Sequence, residues 1–217
     1  MTNSYREGVR RIAPLAPAAA SFGAAFGVLA GTAGLGSVAP IVMSATTFAG
    51  AAQFAATSVL RDDGTVAAAV AAAVLLNLRY LAISVAIAPA FEGSPVRRLL
   101  ESQLIVDESW AVSQTGGGRI ARRVLIGAGL VLFPFWVGGT ALGVLAGDLF
   151  GNPERFGLDA AFPALFLALL VTQLVNRRAV VAAVAGGLIA LVLLPVTPPG
   201  VPVIAASAVC LVGLWKR

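Results

Sequence analysis

The sequence has no histidine and one cysteine, Cys210, among its 217 residues. That excludes a Ser-His-Asp or Cys-His nucleophile, a histidine-ligated metal site and an internal disulfide. Charge is scarce too, with Asp, Glu, Lys and Arg making up 12% of the chain, about half the share of an ordinary soluble domain. No charged residue occurs from Ile12 to Leu60 or from Ala179 to Trp215. A bilayer span takes about 20 such residues. The first run therefore has room for two spans or a broken hairpin, and the second for a hairpin turning between Pro195 and Pro202. An intramembrane enzyme would have to work with carboxylates, Arg, Ser or Thr alone, and no cofactor motif is present. The expectation is a protein that is not an enzyme and carries no cofactor or metal.

What is present is apolar: 59% of residues are hydrophobic, and the mean hydropathy is +0.92. No basic stretch precedes a lone short apolar segment with a cleavage site, so the N-terminus is not expected to be a removable signal peptide. The net charge is +5. Its arginines stand mostly in doublets at the edges of apolar runs, at Arg10/Arg11, Arg97/Arg98, Arg122/Arg123 and Arg177/Arg178. They read as topology anchors in a bilayer and not as a nucleic-acid surface.

Apolar runs set against breakers give seven span candidates, near 13–35, 40–60, 65–90, 124–147, 160–176, 179–194 and 201–215. The fold expected is a single all-α, polytopic transmembrane bundle of six to eight spans, with an internal repeat and broken or re-entrant helices. Residues 95–114 differ, because Glu101, Asp107 and Glu108 interrupt their apolar positions. They form an interfacial amphipathic helix or line a polar cavity. If this segment does not cross, 5 basic residues lie on the N-terminal side and 9 opposite, which sets the N-terminus outside. If it crosses, the counts are 11 and 3 and both termini are cytoplasmic.

The run Ala25-Phe26-Gly27-Val28-Leu29-Ala30-Gly31 matches Ala141-Leu142-Gly143-Val144-Leu145-Ala146-Gly147 at six of seven positions, and Gly34-Leu35 with Pro40 matches Gly157-Leu158 with Pro163. The alternatives are chance in an Ala/Gly-rich chain and a duplicated unit, residues 13–90 and 124–195, joined by 95–114 and followed by 201–215. In a duplicated transporter the substrate site lies at the repeat interface. The copies are inverted if 95–114 does not cross and parallel if it does.

Several residues stand out as site candidates. Gly31, Gly34, Gly36 and Pro40 mark a helix start, which is either an anion-attracting end at membrane depth or an external turn. Thr46, Gly50, Gln53 and Thr57 form a stripe on one helix face, either a packing seam or a cavity wall. Asn77 and Arg79 lie two positions apart inside an apolar segment, so a helix break or two separate roles are implied. Arg79 holds a carboxylate, snorkels to an interface, or makes a structural ion pair. On one helix Gln103, Asp107, Trp110 and Gln114 would share a face while Arg97, Glu101 and Glu108 share another. That leaves Arg97/Glu101 as a solvated pair and Asp107 facing inward.

In order along the chain occur Phe26-Gly27-Val28-Leu29-Ala30, Met43, Phe48-Ala49-Gly50-Ala51-Ala52-Gln53-Phe54, Asn77-Leu78-Arg79, Ala88-Pro89 and Asp107-Glu108-Ser109. Over about residues 10–190 this pattern resembles the AzlC family, large subunits of branched-chain amino acid exporters. One departure is Ser109-Trp110 after Glu108, where the family more often carries an aromatic. The resemblance implies export of branched-chain and related hydrophobic amino acids, driven by the proton gradient. It further implies a small AzlD-type membrane partner and a place in the inner membrane. On that reading Arg79 or the helix start near Pro40 holds the substrate carboxylate. Asp107 or Glu108 takes the ammonium or the coupling proton, and Phe48 and Phe54 face the side chain. Thr46, Gly50, Gln53 and Asn77 complete the candidate set. A non-transporting scaffold or channel component is the alternative.

Overall fold

A computed structural model describes residues 3–115, 119–150, 176–197 and 201–209, with positions 167, 170, 171 and 174 between them. Among these residues the secondary structure is helical, apart from one isolated bridge between Gln114 and Ile120. Helix α1 (Tyr5–Ile12) is capped by Ser4, whose Oγ accepts from the Glu7 amide. It runs through a 3-10 turn at Ala13–Leu15 into α2 (Ala16–Thr32). Together they make one continuous helix from Tyr5 to Thr32, charged over α1 and uncharged from Ile12 on, which is long and apolar enough to hold a membrane span. Among the described residues two other helices are long and apolar enough to cross a membrane: Val66–Ala90, made of α5 (Val66–Asn77), α6 (Arg79–Ile87) and a 3-10 turn at Ala88–Ala90, and Arg122–Gly147 within α9 (Arg122–Phe150).

The expected span over 40–60 is two half-helices, α3 (Val38–Thr47) and α4 (Gly50–Arg61). Phe48 takes a left-handed conformation (φ 43, ψ 48) and Ala49 is extended (φ −137, ψ 82), so the helix stops between them. The chain then turns back. In a straight helix Ser44 and Gln53 would stand about 13 Å apart along the axis, yet the Gln53 amide donates to Ser44 Oγ at 2.9 Å. Met43 likewise packs on the cluster of Ala56, Val59, Ala69 and Ala72. The stripe of Thr46, Gly50, Gln53 and Thr57 is therefore not one helix face.

Residues 95–114 fold back in the same way. They form α7 (Pro95–Ser102) and α8 (Asp107–Ser113), separated by turns at Gln103–Val106. Glu101 meets Arg122, Leu104 meets Gly129, and the Ala121 amide donates to the Ser113 carbonyl. The segment thus leaves the N-terminal end of α9, reaches about two turns along it, and returns. It does not traverse the molecule, and Glu108 does not share a face with Arg97 and Glu101. The Arg97–Glu101 pair itself forms, at 2.9 Å.

The central contact is α1–α2 against α9. A Cβ built on Gly23 or Gly27 would run into the Trp136 or Thr140 backbone, and one on Gly139 or Gly143 into that of Ala20 or Ala24. Two four-residue glycine spacings thus face each other and let the backbones touch, as small residues do between membrane helices. Sequence numbers rise together along this seam, so the helices run in the same direction. The matching stretches Ala25–Gly31 and Ala141–Gly147 lie side by side in it; inverted copies would be antiparallel. This parallel course follows from both helix pairs folding back, because α5–α6 is then the one return path between the two helices.

One end of the molecule gathers Arg6, Arg10, Arg11, Arg97, Arg98, Arg119, Arg122 and Arg123, around the paired N-termini of α1 and α9. Arg61, at the end of α4, lies at the other end beside the start of α3. The helix α10 (Arg177–Leu193), capped by Asn176, packs on α11 (Val201–Ser207). The expected span over 160–176 lies mostly outside the described residues, as do Gly157, Leu158, Pro163 and Cys210.

Candidate functional site

The two folded-back pairs meet midway along α9. Gln103, the last residue before the turn out of α7, donates its amide to the carbonyls of Ala45 (3.1 Å) and Thr46 (2.9 Å). Those carbonyls belong to the last turn of α3, where a helix leaves acceptors without intrahelical partners. One side chain thereby ties the tip of α7–α8 to the tip of α3–α4. Nothing in the spacing of Gln103 marks this role.

Beside this junction lies a cavity of about 690 Å³. Its wall includes Phe48, Gly50, Phe54, Arg79, Asp107 and Glu108, six of the nine residues singled out from sequence. Leu15, Phe22, Tyr80, Ile83, Trp110 and Trp136 supply much of the remaining apolar surface. Arg79 stands just after Leu78, where α5 gives way to α6. Its Nη2 pairs with Asp107 Oδ2 at 2.9 Å, with side chains 45% and 40% exposed. Its guanidinium also stands 5.3 Å from the Tyr80 ring centre. The pair bridges a long apolar helix and the first residue of α8, and both charges stay open to the cavity.

Glu108 opens on the same space. Its carboxyl stands next in sequence to that of Asp107, so two acidic groups face the cavity beside one guanidinium. Away from the cavity, burial pushes the Glu101 pKa upward, but hydrogen bonds from Arg122 and Arg97 outweigh it and hold its carboxyl below the ordinary range. The Arg122 guanidinium also sits 5.8 Å from the Phe91 ring centre. This second charge cluster fastens α7 to the start of α9, at 2.9 Å from Arg122 Nε to Glu101 Oε2.

The other three candidates lie elsewhere. Thr46 is exposed, donates to the Val42 carbonyl at 2.7 Å and borders a shallow groove along α3. Asn77 ends α5, and its Oδ1 is buried with no partner. Gln53 is fully buried behind the cavity wall: its Oε1 accepts from Trp136 Nε1 (3.1 Å) and the Ala49 amide (3.3 Å). Its Nε2 donates to Ser44, whose hydroxyl meets Thr140 at 2.8 Å. The amide need that drew attention to Gln53 is met by this network. Pro40 is buried, and the helix start at the cavity is that of α4, at Gly50 and Ala51. Among the described residues no group of three His, Cys, Asp or Glu is placed to hold a metal ion.

Long apolar helices, two folded-back helix pairs and a charged cavity between their tips define a helical membrane protein with an internal polar site. Comparison with known families narrows this. The family model "AzlC protein" matches residues 14–150, and the chain belongs to the AzlC family. An uncharacterised membrane protein of Archaeoglobus fulgidus is 35% identical over 205 residues, 94% of this chain and 90% of that protein. A Bacillus subtilis protein named "Branched-chain amino acid transport protein AzlC" is 26% identical over 164 residues, 72% of this chain and 62% of that protein. No solved structure matches the chain.

Proposed function

We propose that this chain exports branched-chain and related hydrophobic amino acids across the inner membrane, coupled to protons, as the large subunit beside a small AzlD-type partner. The observation that carries the reading is the cavity itself. An amino acid with an apolar side chain needs a cation, an anion and an apolar wall together. Arg79, Asp107 and the aromatic surface of Phe48, Phe54 and Trp136 supply them around one space. The substrate carboxylate takes Arg79 in place of Asp107, which frees Asp107 for the ammonium, so the exchange is charge-balanced. The start of α4 adds a positive helix end on the carboxylate side. Glu108, which lines the same cavity and is left outside the Arg79–Asp107 pair, carries the proton. The name of the Bacillus subtilis relative supports the substrate class. The positive-inside rule supports a reading in which the arginine-rich end, and the N-terminus with it, faces the cytoplasm.

The test uses bacteria lacking their own branched-chain exporters, co-expressing this chain with the small subunit and loaded with leucine- and valine-containing dipeptides. Free amino acid should appear outside faster than in vector controls; an uncoupler should abolish the difference and Arg79→Gln should cut it at least about tenfold. No difference, with both proteins shown to be in the membrane, leaves a non-transporting role.

A further inference from the structure

We infer that the Trp136 indole, fixed by Gln53 and packed against Gly50, sets the size limit on the substrate side chain. The inference rests on the cavity being an amino acid site. Trp136 lines that cavity while only 7% of it is exposed, so its ring is a wall and not a mobile flap. Three contacts hold it. Its Nε1 donates to Gln53 Oε1, and Gln53 is anchored in turn by Ser44 and Thr140. Phe54 meets the ring edge-to-face at 6.3 Å between ring centres, and Phe26 stacks on it at 6.5 Å. Gly50 leaves the space its six-membered ring occupies: a Cβ there would stand 2.7 Å from Trp136 Cη2, below any ordinary carbon contact. Gly50 is also part of the cavity wall. A side chain at residue 50 therefore takes up space at the cavity wall and cannot be added without displacing the indole.

Gln53 is on this account a positioning residue. It does not touch substrate, and its amide fixes the plane of the ring that does. A hydrophobic pocket discriminates by about tenfold or more per methylene-sized change in fit. Gly50→Ala should shrink the pocket and favour valine over leucine by about tenfold. Trp136→Phe should enlarge it and admit phenylalanine. The double variant removes the Cη2 clash and should return the leucine-to-valine ratio toward that of the unmodified protein.

The experiment measures binding of leucine, valine and phenylalanine to the chain co-purified in detergent with its small partner, by ligand-induced thermal stabilisation, which needs neither transport nor a known direction. Opposite shifts in selectivity for Gly50→Ala and Trp136→Phe, with partial restoration in the double variant, support the inference. Gln53→Glu, which keeps an acceptor for the indole, should keep the selectivity better than Gln53→Leu. Unchanged affinity ratios in variants that melt cooperatively overturn it while leaving the amino acid site intact. If the unmodified protein is stabilised by none of the three, the function proposed above fails and the inference with it.

Discussion

The Arg79–Asp107 pair separates a structural role from a binding role, because the two predict different consequences of the same changes. At 2.9 Å and with both side chains close to half exposed, it resembles surface ion pairs, which contribute about 0 to 1 kcal/mol. Arg79→Gln or Asp107→Asn should therefore lower the melting temperature by only a few degrees. A charge-assisted hydrogen bond to substrate is worth about 1.5 to 3 kcal/mol, or about 10- to 100-fold in transport at 1.4 kcal/mol per factor of ten. The decisive variant is the swap, Arg79→Asp together with Asp107→Arg. A structural pair would be rebuilt and transport would return. If each charge holds one end of the amino acid, the swap reverses the two subsites relative to the wall of Phe48, Phe54 and Trp136, and transport stays down at least tenfold. Dipeptide-loaded efflux and thermal melts on the same variants provide both readings. Transport restored by the swap, or untouched by either single change, would refute the reasoning.

The other predictions concern packing, pH and orientation. Gly138 has nothing within 4 Å of a built Cβ, whereas at Gly139 a Cβ would enter the Ala20 backbone. Gly138→Ala should stabilise by up to about 1 kcal/mol through helix propensity, and Gly139→Ala should destabilise by about 1 to 3 kcal/mol through overpacking; melts of these neighbouring variants compare them directly. Glu101 has a folded pKa below the ordinary 4.5, so its stabilisation is present above that value and lost as pH falls through the folded pKa. Melts against pH should lose the acid-side decline in Glu101→Gln. In a Cys210→Ser background, a cysteine at Arg98 should resist a membrane-impermeant reagent applied outside cells, while one at Asp62 should react; the reverse pattern would invert the orientation.

The membrane fold was legible because uncharged runs such as Ile12–Leu60 leave a soluble protein no polar surface. The site was partly legible, since Arg79 and Asp107 are charges in apolar surroundings and such groups need partners. A broken hairpin was among the readings of that run, but its turn at Phe48–Ala49 was not legible, because no glycine or proline stands at the two residues where the helix stops. Phe48 is held left-handed in a tertiary setting, with its ring edge-on to Phe133 at 5.2 Å. Once that break was read as a continuous helix, the face of Thr46 and Gln53 and the crossing count were both displaced. Gln103, Trp136 and Arg122 act through partners 57, 83 and 21 positions away, and local periodicity carries no information at those separations. The glycine spacing at 23/27 and 139/143 was a readable signal for the α2–α9 seam, and it lay inside the very stretches that suggested a repeat.

The central claim is that the amino acid sits between the two folded-back helix pairs. Photo-leucine, whose diazirine reacts with whatever surrounds the side chain, tests it directly when crosslinked to the membrane-embedded protein and mapped by mass spectrometry. The account predicts labelling at Phe48–Phe54 and at Trp110 or Trp136, suppressed by excess leucine. Labelling that leucine does not suppress, or that falls on the exposed faces of α5 and α10, would contradict it.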